Sequence, residues 1–257
     1  MTETRSQEIL TELREGTLLV RIHRAERKNA LTLAMYAGLT AALDEAMRTP
    51  AIRVVVITGS GDSFTSGNDI ADFLAHPPSG EDSPVFQFLS ALRQFEKPLI
   101  AAVNGVAVGI GVTLLLHCDL IYARTGATLQ LPFVNLGLCP EAGSSLLLPR
   151  LLGYPRAAEL LLLGEPFSAE QALDWGLING LGLDAEATLE LALAKARRLA
   201  GLPAVAVQRT KALLKRTETE AVRETIALES QHFIELLRSP EAAAALHAFV
   251  SRHRAGG

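Results

Sequence analysis

The chain has 257 residues, a formal net charge of −4, and a composition that is 49% hydrophobic but only 5% aromatic. That length suits one large core with a small extension, and the interspersed charges, with no Lys/Arg block, exclude a surface that tracks a phosphate backbone, so nucleic acid is not an expected partner. Residues 1–8 carry no apolar export core, and Cys118 and Cys139 form neither a CxxC motif nor a paired framework, which predicts a reducing, cytoplasmic location.

Residues 8–14 and 17–22 alternate apolar and polar side chains around Glu15-Gly16, the pattern of an antiparallel hairpin with one buried face. Thr32 is placed to cap a helix running to about Arg48, with Met35, Leu39, Leu43 and Met47 on one face and Pro50 beyond its end. Residues 53–58 read as a strand buried on both sides. A helix over 85–95 then leads to a strand at 99–103, and a helix near 110–117 leads to a strand at 120–123. Helix and strand alternating at this spacing predict a layered α/β core.

Residues 99–116 hold only Asn104 and Thr113 as polar side chains, which approaches the length of a bilayer span. Asn104-Gly105, Gly109 and Gly111 punctuate the run too heavily for a lipid-facing helix, so a buried strand, turn and helix is expected, with no membrane. After Leu131 the strand signal fades. Ser168 and Gln171 form a capping box before a helix to Trp175, with Gly176 as its stop. From Asp184 the sequence is almost all helix. One segment runs to about Leu199, Gly201-Leu202-Pro203 breaks it, two more reach Arg216 and Leu237, and Ser239-Pro240-Glu241 opens the last. A boundary near residue 200 divides a core, 1–200, from a helical region, 201–257, whose Ala/Leu-rich faces need the core or neighbouring subunits to cover them.

Three corners combine glycine with a following helix: 59–69, 104–111 and 140–145. Helix starts collect unpaired backbone N–H groups, and two such corners facing each other would form an oxyanion hole. Taken singly, each corner reads as a tight turn with no ligand, and none is specific. The chain has no G-x-G-x-x-G, Walker A, H-E-x-x-H or G-x-S-x-G motif, which removes most support for nicotinamide, nucleotide triphosphate, zinc or serine-hydrolase chemistry. Acidic residues between Asp62 and Asp82 lack calcium-loop spacing and read as a solvated loop, so no metal site is expected. His117, Cys118 and Asp119 invite a nucleophile reading, but neighbours at a helix end rarely face one another, and a structural role is expected.

Several motifs then occur in order: Asn29-Ala30-Leu31, residues 54–59 (VVVITG), residues 64–70 (FTSGNDI), residues 97–109 (KPLIAAVNGVAVG), residues 118–123 (CDLIYA) and residues 131–137 (LPFVNLG). Together they resemble the signature of the crotonase (enoyl-CoA hydratase/isomerase) family, from about residue 8 to the C-terminus. The resemblance implies an α/β fold, a spiral of ββα units with a C-terminal helical region used in trimer formation, often as a dimer of trimers. It also implies an acyl-CoA thioester substrate, and no cofactor beyond the coenzyme A that is part of that substrate.

By the same resemblance, the thioester oxygen would be held by the N–H groups of Ser66, just before Gly67, and Ile110, just after Gly109. Lys28 would lie near the CoA phosphates, backbone at Ala30 and from Phe64 to Asn68 would line the adenine and pantetheine, and Asp69, Ile70, Gly109 and Phe133 would border the substrate. Hydratases of the family carry two glutamates, and those positions here are Thr113 and Phe133. Glu141 instead stands where Δ3,Δ2-enoyl-CoA isomerases carry their single catalytic acid, which implies double-bond migration with Glu141 as proton shuttle. The alternatives are a hydratase or other CoA-thioester lyase, and a catalytically inactive CoA- or RNA-binding protein of the same fold.

Overall fold

A computed structural model describes residues 8–80 and 82–255. The segment 1–7, in which no export core is legible, and Glu81 of the acidic loop lie outside the described residues. The chain opens with an antiparallel hairpin, β1 (Ile9–Arg14) and β2 (Thr17–Ile22), turned by Glu15 and Gly16 at φ 47° and 78°. Two consecutive positive φ values match the right-handed twist of the strands they join. α1 (Leu33–Arg48) follows, and the Thr32 hydroxyl accepts the Met35 N–H as expected.

A repeating unit then sets the architecture. β3 (Val54–Gly59), β4 (Ser63–Thr65) and α2 (Ile70–Ala75) form its first copy, after which α3 (Pro84–Gln94) crosses the molecule. β5 (Leu99–Val103), β6 (Val106–Val108) and α4 (Ile110–Thr113), continued by a 3-10 turn over Leu114–His117, form the second. β7 (Leu120–Arg124), β8 (Thr128–Gln130) and a 3-10 turn at Val134–Leu136 form the third. The first strands pair in parallel in one sheet and the second strands pair in parallel in another, so each unit advances one strand along both sheets. This is the expected spiral of ββα units.

The fading of strand signal after Leu131 is corrected by two further strands, β9 (Phe167–Ser168) on β8 and β10 (Gly180–Gly182) on β7. They have two and three residues, and glycine holds two of the three positions in β10. Such segments carry no periodicity, and the sheet edge they join is what makes them strands. The finished sheets run β1-β2-β3-β5-β7-β10 and β4-β6-β8-β9.

The remaining elements are α5 (Ser144–Leu152), α6 (Tyr154–Leu163), α7 (Ala169–Asp174), α8 (Ala185–Ala200), α9 (Ala204–Lys215), α10 (Thr219–Leu237) and α11 (Pro240–Ala255). α7 has the predicted capping box. Val55 and Ile57 of β3 face the main core with α1 and α3, while Val54 and Val56 pack with Ala192 and Ala196 of α8. Burial on both faces explains the unbroken apolar reading of that strand. The apolar run 99–116 is folded into β5, β6 and α4, and among the described residues no helix is long and apolar enough to cross a membrane.

The C-terminal helices lie on the spiral. α10 rests against α3 and α5, and its Phe233 meets Phe73 of α2 edge to face at 6.0 Å. Lys211 of α9 is buried and donates to the Lys97 carbonyl and the Asp119 carboxylate at 2.7 Å each.

Candidate active site

Two of the glycine corners meet in space. A Cβ on Gly67, whose φ is +92°, would sit 3.1 Å from the Val108 carbonyl, and one on Gly111 would sit 2.8 Å from Thr65 Cγ2. Only glycine permits this approach. The first corner is latched to the segment before α1: the Leu31 N–H donates to the Gly67 carbonyl at 2.8 Å and the Asp69 N–H donates to the Leu31 carbonyl at 2.9 Å. At the second corner the Gly109 N–H donates to the Gln130 carbonyl at 2.9 Å, and Ile110 opens α4, so its N–H has no intrahelical acceptor.

Ser66 must be corrected as an oxyanion donor. Its N–H already donates to the Lys28 carbonyl at 3.0 Å, which anchors the corner to the preceding loop. The neighbouring bridge leaves a different donor: Leu31 pairs with Asn68 in parallel, using the Asp69 N–H and the Gly67 carbonyl, so the Asn68 N–H points away from Leu31. Among the described residues it has no protein acceptor. Asn68 and Ile110, rather than Ser66 and Ile110, carry the unspent N–H groups.

Glu141 lies in the loop before α5, 5% exposed, and its Oε1 accepts the Thr113 hydroxyl at 2.9 Å. Burial pushes its carboxyl up to about 7, the Thr113 bond pulls it down, and the negative charge of Glu229 adds to the rise. The Tyr36 hydroxyl donates to Asn68 Oδ1, and its phenol is raised by burial and by the charge of Glu141. The Thr113 bond therefore ties Glu141 to α4, which opens at the second corner, while Tyr36, which reaches the first corner at Asn68, feels the Glu141 charge. A carboxyl that titrates near neutrality beside free N–H donors can both take and return a proton.

The loop that carries Glu141 is held on both sides. Ala142 and Gly143 have φ values of 59° and 75°, and the Ala142 carbonyl accepts His117 Nε2–H at 2.7 Å. On the other side, the buried Glu229 carboxylate accepts the Gly143 N–H at 2.6 Å, the Ser145 N–H at 2.9 Å and the Ser145 hydroxyl at 2.5 Å.

Of the other sequence-predicted site residues, Lys28, Ala30 and Asp69 gather by the first corner, and Phe64 and Phe133 pack in the core. Asp69 caps α2, accepting the N–H groups of Ala71 and Asp72, and pairs with Arg24 at 2.8 Å; Asp72 in turn accepts the Leu33 N–H at 2.8 Å. These two acids are structural ties, which corrects the solvated-loop reading for them. Ile70 starts α2 and is half-buried. Phe64 is wholly buried, with its backbone pressed against Gly59 and its side chain in the main core. Phe133 is buried in the main core. Lys28 is exposed at φ 50°, and the Ala30 carbonyl accepts the Arg24 guanidinium at 2.9 Å.

His117 turns to Ala142, and burial keeps it neutral, with its pKa down to about 4. Burial likewise pushes the Cys118 thiol up to about 12, and Sγ donates to the Leu114 carbonyl. No nucleophile set forms there. Among the described residues no three His, Cys, Asp or Glu side chains gather to hold a metal. A groove of about 1200 Å³ runs between α1, α3 and α10, but Tyr36, Asn68, Thr113 and Glu141 do not line it.

Sequence reasoning missed Tyr36 and Glu229. Glu229 falls on the inward stripe of α10 with Val222 and Phe233, and a carboxylate at that spacing was the available signal.

The chain as a whole is similar to known proteins. Residues 12–255 match the family model described as enoyl-CoA hydratase/isomerase. Enoyl-CoA delta isomerase 2 of Rattus norvegicus is 34% identical over 254 residues, covering 96% of this chain, which spans 64% of that relative's length. The 2,3-dehydroadipyl-CoA hydratase of Escherichia coli K12 is 33% identical over 248 residues, 95% of this chain and 96% of its own. The solved structure of OdaA from Pseudomonas aeruginosa superposes with a TM-score of 0.93 at 55% identity, covering 95% of this chain and 99% of that one.

Proposed function

The chain belongs to the enoyl-CoA hydratase/isomerase (crotonase) family, and from that premise we propose that it is a Δ3,Δ2-enoyl-CoA isomerase. A 3-enoyl-CoA thioester enters with its carbonyl oxygen between the N–H groups of Asn68 and Ile110. Ionised Glu141 takes a proton from C2, and the electron pair of the broken C–H bond spreads through the thioester carbonyl and the C3–C4 double bond as a dienolate. Glu141 returns the proton at C4 while the double bond settles between C2 and C3, so no atom or electron is gained or lost.

Each N–H donor placed on the developing oxyanion contributes about 3–4 kcal/mol to the transition state. A carboxyl near pKa 7 is half ionised at neutral pH, which suits a group that acts first as base and then as acid.

One observation carries this reading: the buried carboxylate beside the corners is Glu141, while the positions of the two hydratase glutamates hold Thr113, hydrogen-bonded to it, and Phe133. The site offers a proton shuttle without a second carboxylate to activate water. A homotrimer or dimer of trimers belongs to the same proposal. The test is to offer 2-enoyl-CoA and 3-enoyl-CoA separately and follow products by chromatography. Conversion of the 3-enoyl to the 2-enoyl thioester supports isomerisation; hydration of the 2-enoyl thioester with no double-bond shift would move the chain to the hydratases.

A further inference from the structure

We propose that Glu229, on the C-terminal helix α10, is a positioning residue for Glu141, so that a helix outside the spiral completes the reaction site within the same chain. The inference rests on Glu141 being the reacting carboxylate.

The geometry is specific. Glu229 occupies an apolar-stripe position of α10, where Val222 Cγ1 and Ile226 Cγ1 lie 3.4 and 3.5 Å from where a Cβ on Gly143 would be. An aliphatic side chain would fill that place at lower desolvation cost, since a buried carboxylate persists only where its lone pairs are met. Here they are met by the Gly143 N–H, the Ser145 N–H and the Ser145 hydroxyl, two and four residues beyond Glu141.

Those bonds hold a turn that resists its own conformation. Ala142 carries a Cβ yet sits at φ 59°, a region L-residues avoid, and Gly143 follows at 75°. His117 fixes the peptide oxygen of Ala142 while Glu229 fixes the N–H of Gly143. With the Ala142–Gly143 peptide held at its oxygen and at its N–H, the strained Ala142 is pinned at its C-terminal side, and the Glu141 carboxylate is delivered to the Thr113 hydroxyl. Released from Glu229, the turn can relax to negative φ and swing that carboxylate off its bearing.

Glu229 also acts by charge. The titratable groups around Glu141 are Tyr36, Cys139 and Glu229, and the like charge of Glu229 adds to the upward shift of Glu141.

The experiment compares wild type with Glu229→Gln, and with Glu229→Asp, which keeps the charge but cannot span both N–H groups. Thermal melts establish that each is folded; kcat and KM are measured on 3-enoyl-CoA, and the Glu141 carboxyl is titrated by carbon-13 NMR. In a folded variant, kcat is expected to fall tenfold or more with KM within twofold, and in Glu229→Gln the Glu141 midpoint is expected to drop. Wild-type kcat in either folded variant overturns the proposal, even if its melting temperature falls. If wild type does not turn over 3-enoyl-CoA, the isomerase reading fails, and the titration in Glu229→Asp, which keeps the charge, decides the positioning: a displaced Glu141 midpoint supports it, and an unchanged one overturns it.

Discussion

The Thr113 hydroxyl donates to Glu141 Oε1 across 2.9 Å, inside a site where both side chains are buried. That bond favours the ionised carboxylate against the pull of burial. Thr113→Val keeps the shape and removes the donor. Since a hydrogen bond to a charged group is worth about 1.5–3 kcal/mol, the Glu141 midpoint is expected to rise by about 1–2 units. The acid limb of kcat/KM against pH should move up by that amount; a limb at the wild-type position would show that the bond does not tune the base.

Glu141 also sets a stability cost. Its folded pKa of about 7 lies above the ordinary 4.5, so between those values the folded chain binds a proton that the unfolded chain does not, and stability falls as pH rises through that window. The full cost, reached above pH 7, is on the order of 3 kcal/mol. Glu141→Gln should therefore melt higher than wild type at pH 8, with the gain shrinking to nothing below pH 4.5. A lower melting temperature at pH 8 would contradict the burial of an ionisable group there.

His117 works in the opposite sense. Its folded pKa of about 4 lies below the ordinary 6.5, so its contribution is complete above pH 6.5 and is lost as pH falls toward 4. His117→Gln keeps a donor for the Ala142 carbonyl and does not titrate. Urea unfolding between pH 4 and 6.5 should show a weaker loss of stability in this variant than in wild type; equal slopes would mean that His117 is not the group being charged.

Much of the fold was legible because hairpin, caps and apolar periods agreed with one another. The Thr32 and Ser168 caps and the helix starts at Asp184 and Pro240 all lie where local chemistry puts them. β9 and β10 were not legible, since their pairing is imposed by the sheet edge. In the site, Glu141 and Ile110 became candidates only through the family resemblance; the structure buries the first and sets the second at the start of α4. The second candidate donor was not legible: whether Ser66 or Asn68 keeps a free N–H depends on which one faces the Lys28 carbonyl, and the deciding contacts, Ser66 with Lys28 and Asn68 with Leu31, join residues 38 and 37 positions apart in the chain. Glu229 stayed hidden because 88 residues separate it from Glu141 and only packing unites them.

The proposed oxyanion donor at Asn68 is its backbone N–H, while its side chain receives the Tyr36 hydroxyl. Asn68→Ala deletes the side chain and keeps the donor; Asn68→Pro deletes the donor. The alanine variant is expected to keep kcat within about tenfold, with a stability loss of about 1–3 kcal/mol from the unpaired phenol. The proline variant, folded by circular dichroism, should lose about 10²–10³ in kcat. Equal kcat in the two variants would move the donor elsewhere.

The most direct measurement is the rate of 3-enoyl-CoA isomerisation by wild type and by Glu141→Gln at pH 8, where the wild-type carboxyl is ionised. Glutamine retains the Thr113 bond and the packing but cannot carry the proton, so a fall of about 10²–10⁴ in kcat with little change in KM is expected. Equal rates in the two proteins would remove Glu141 from the chemistry.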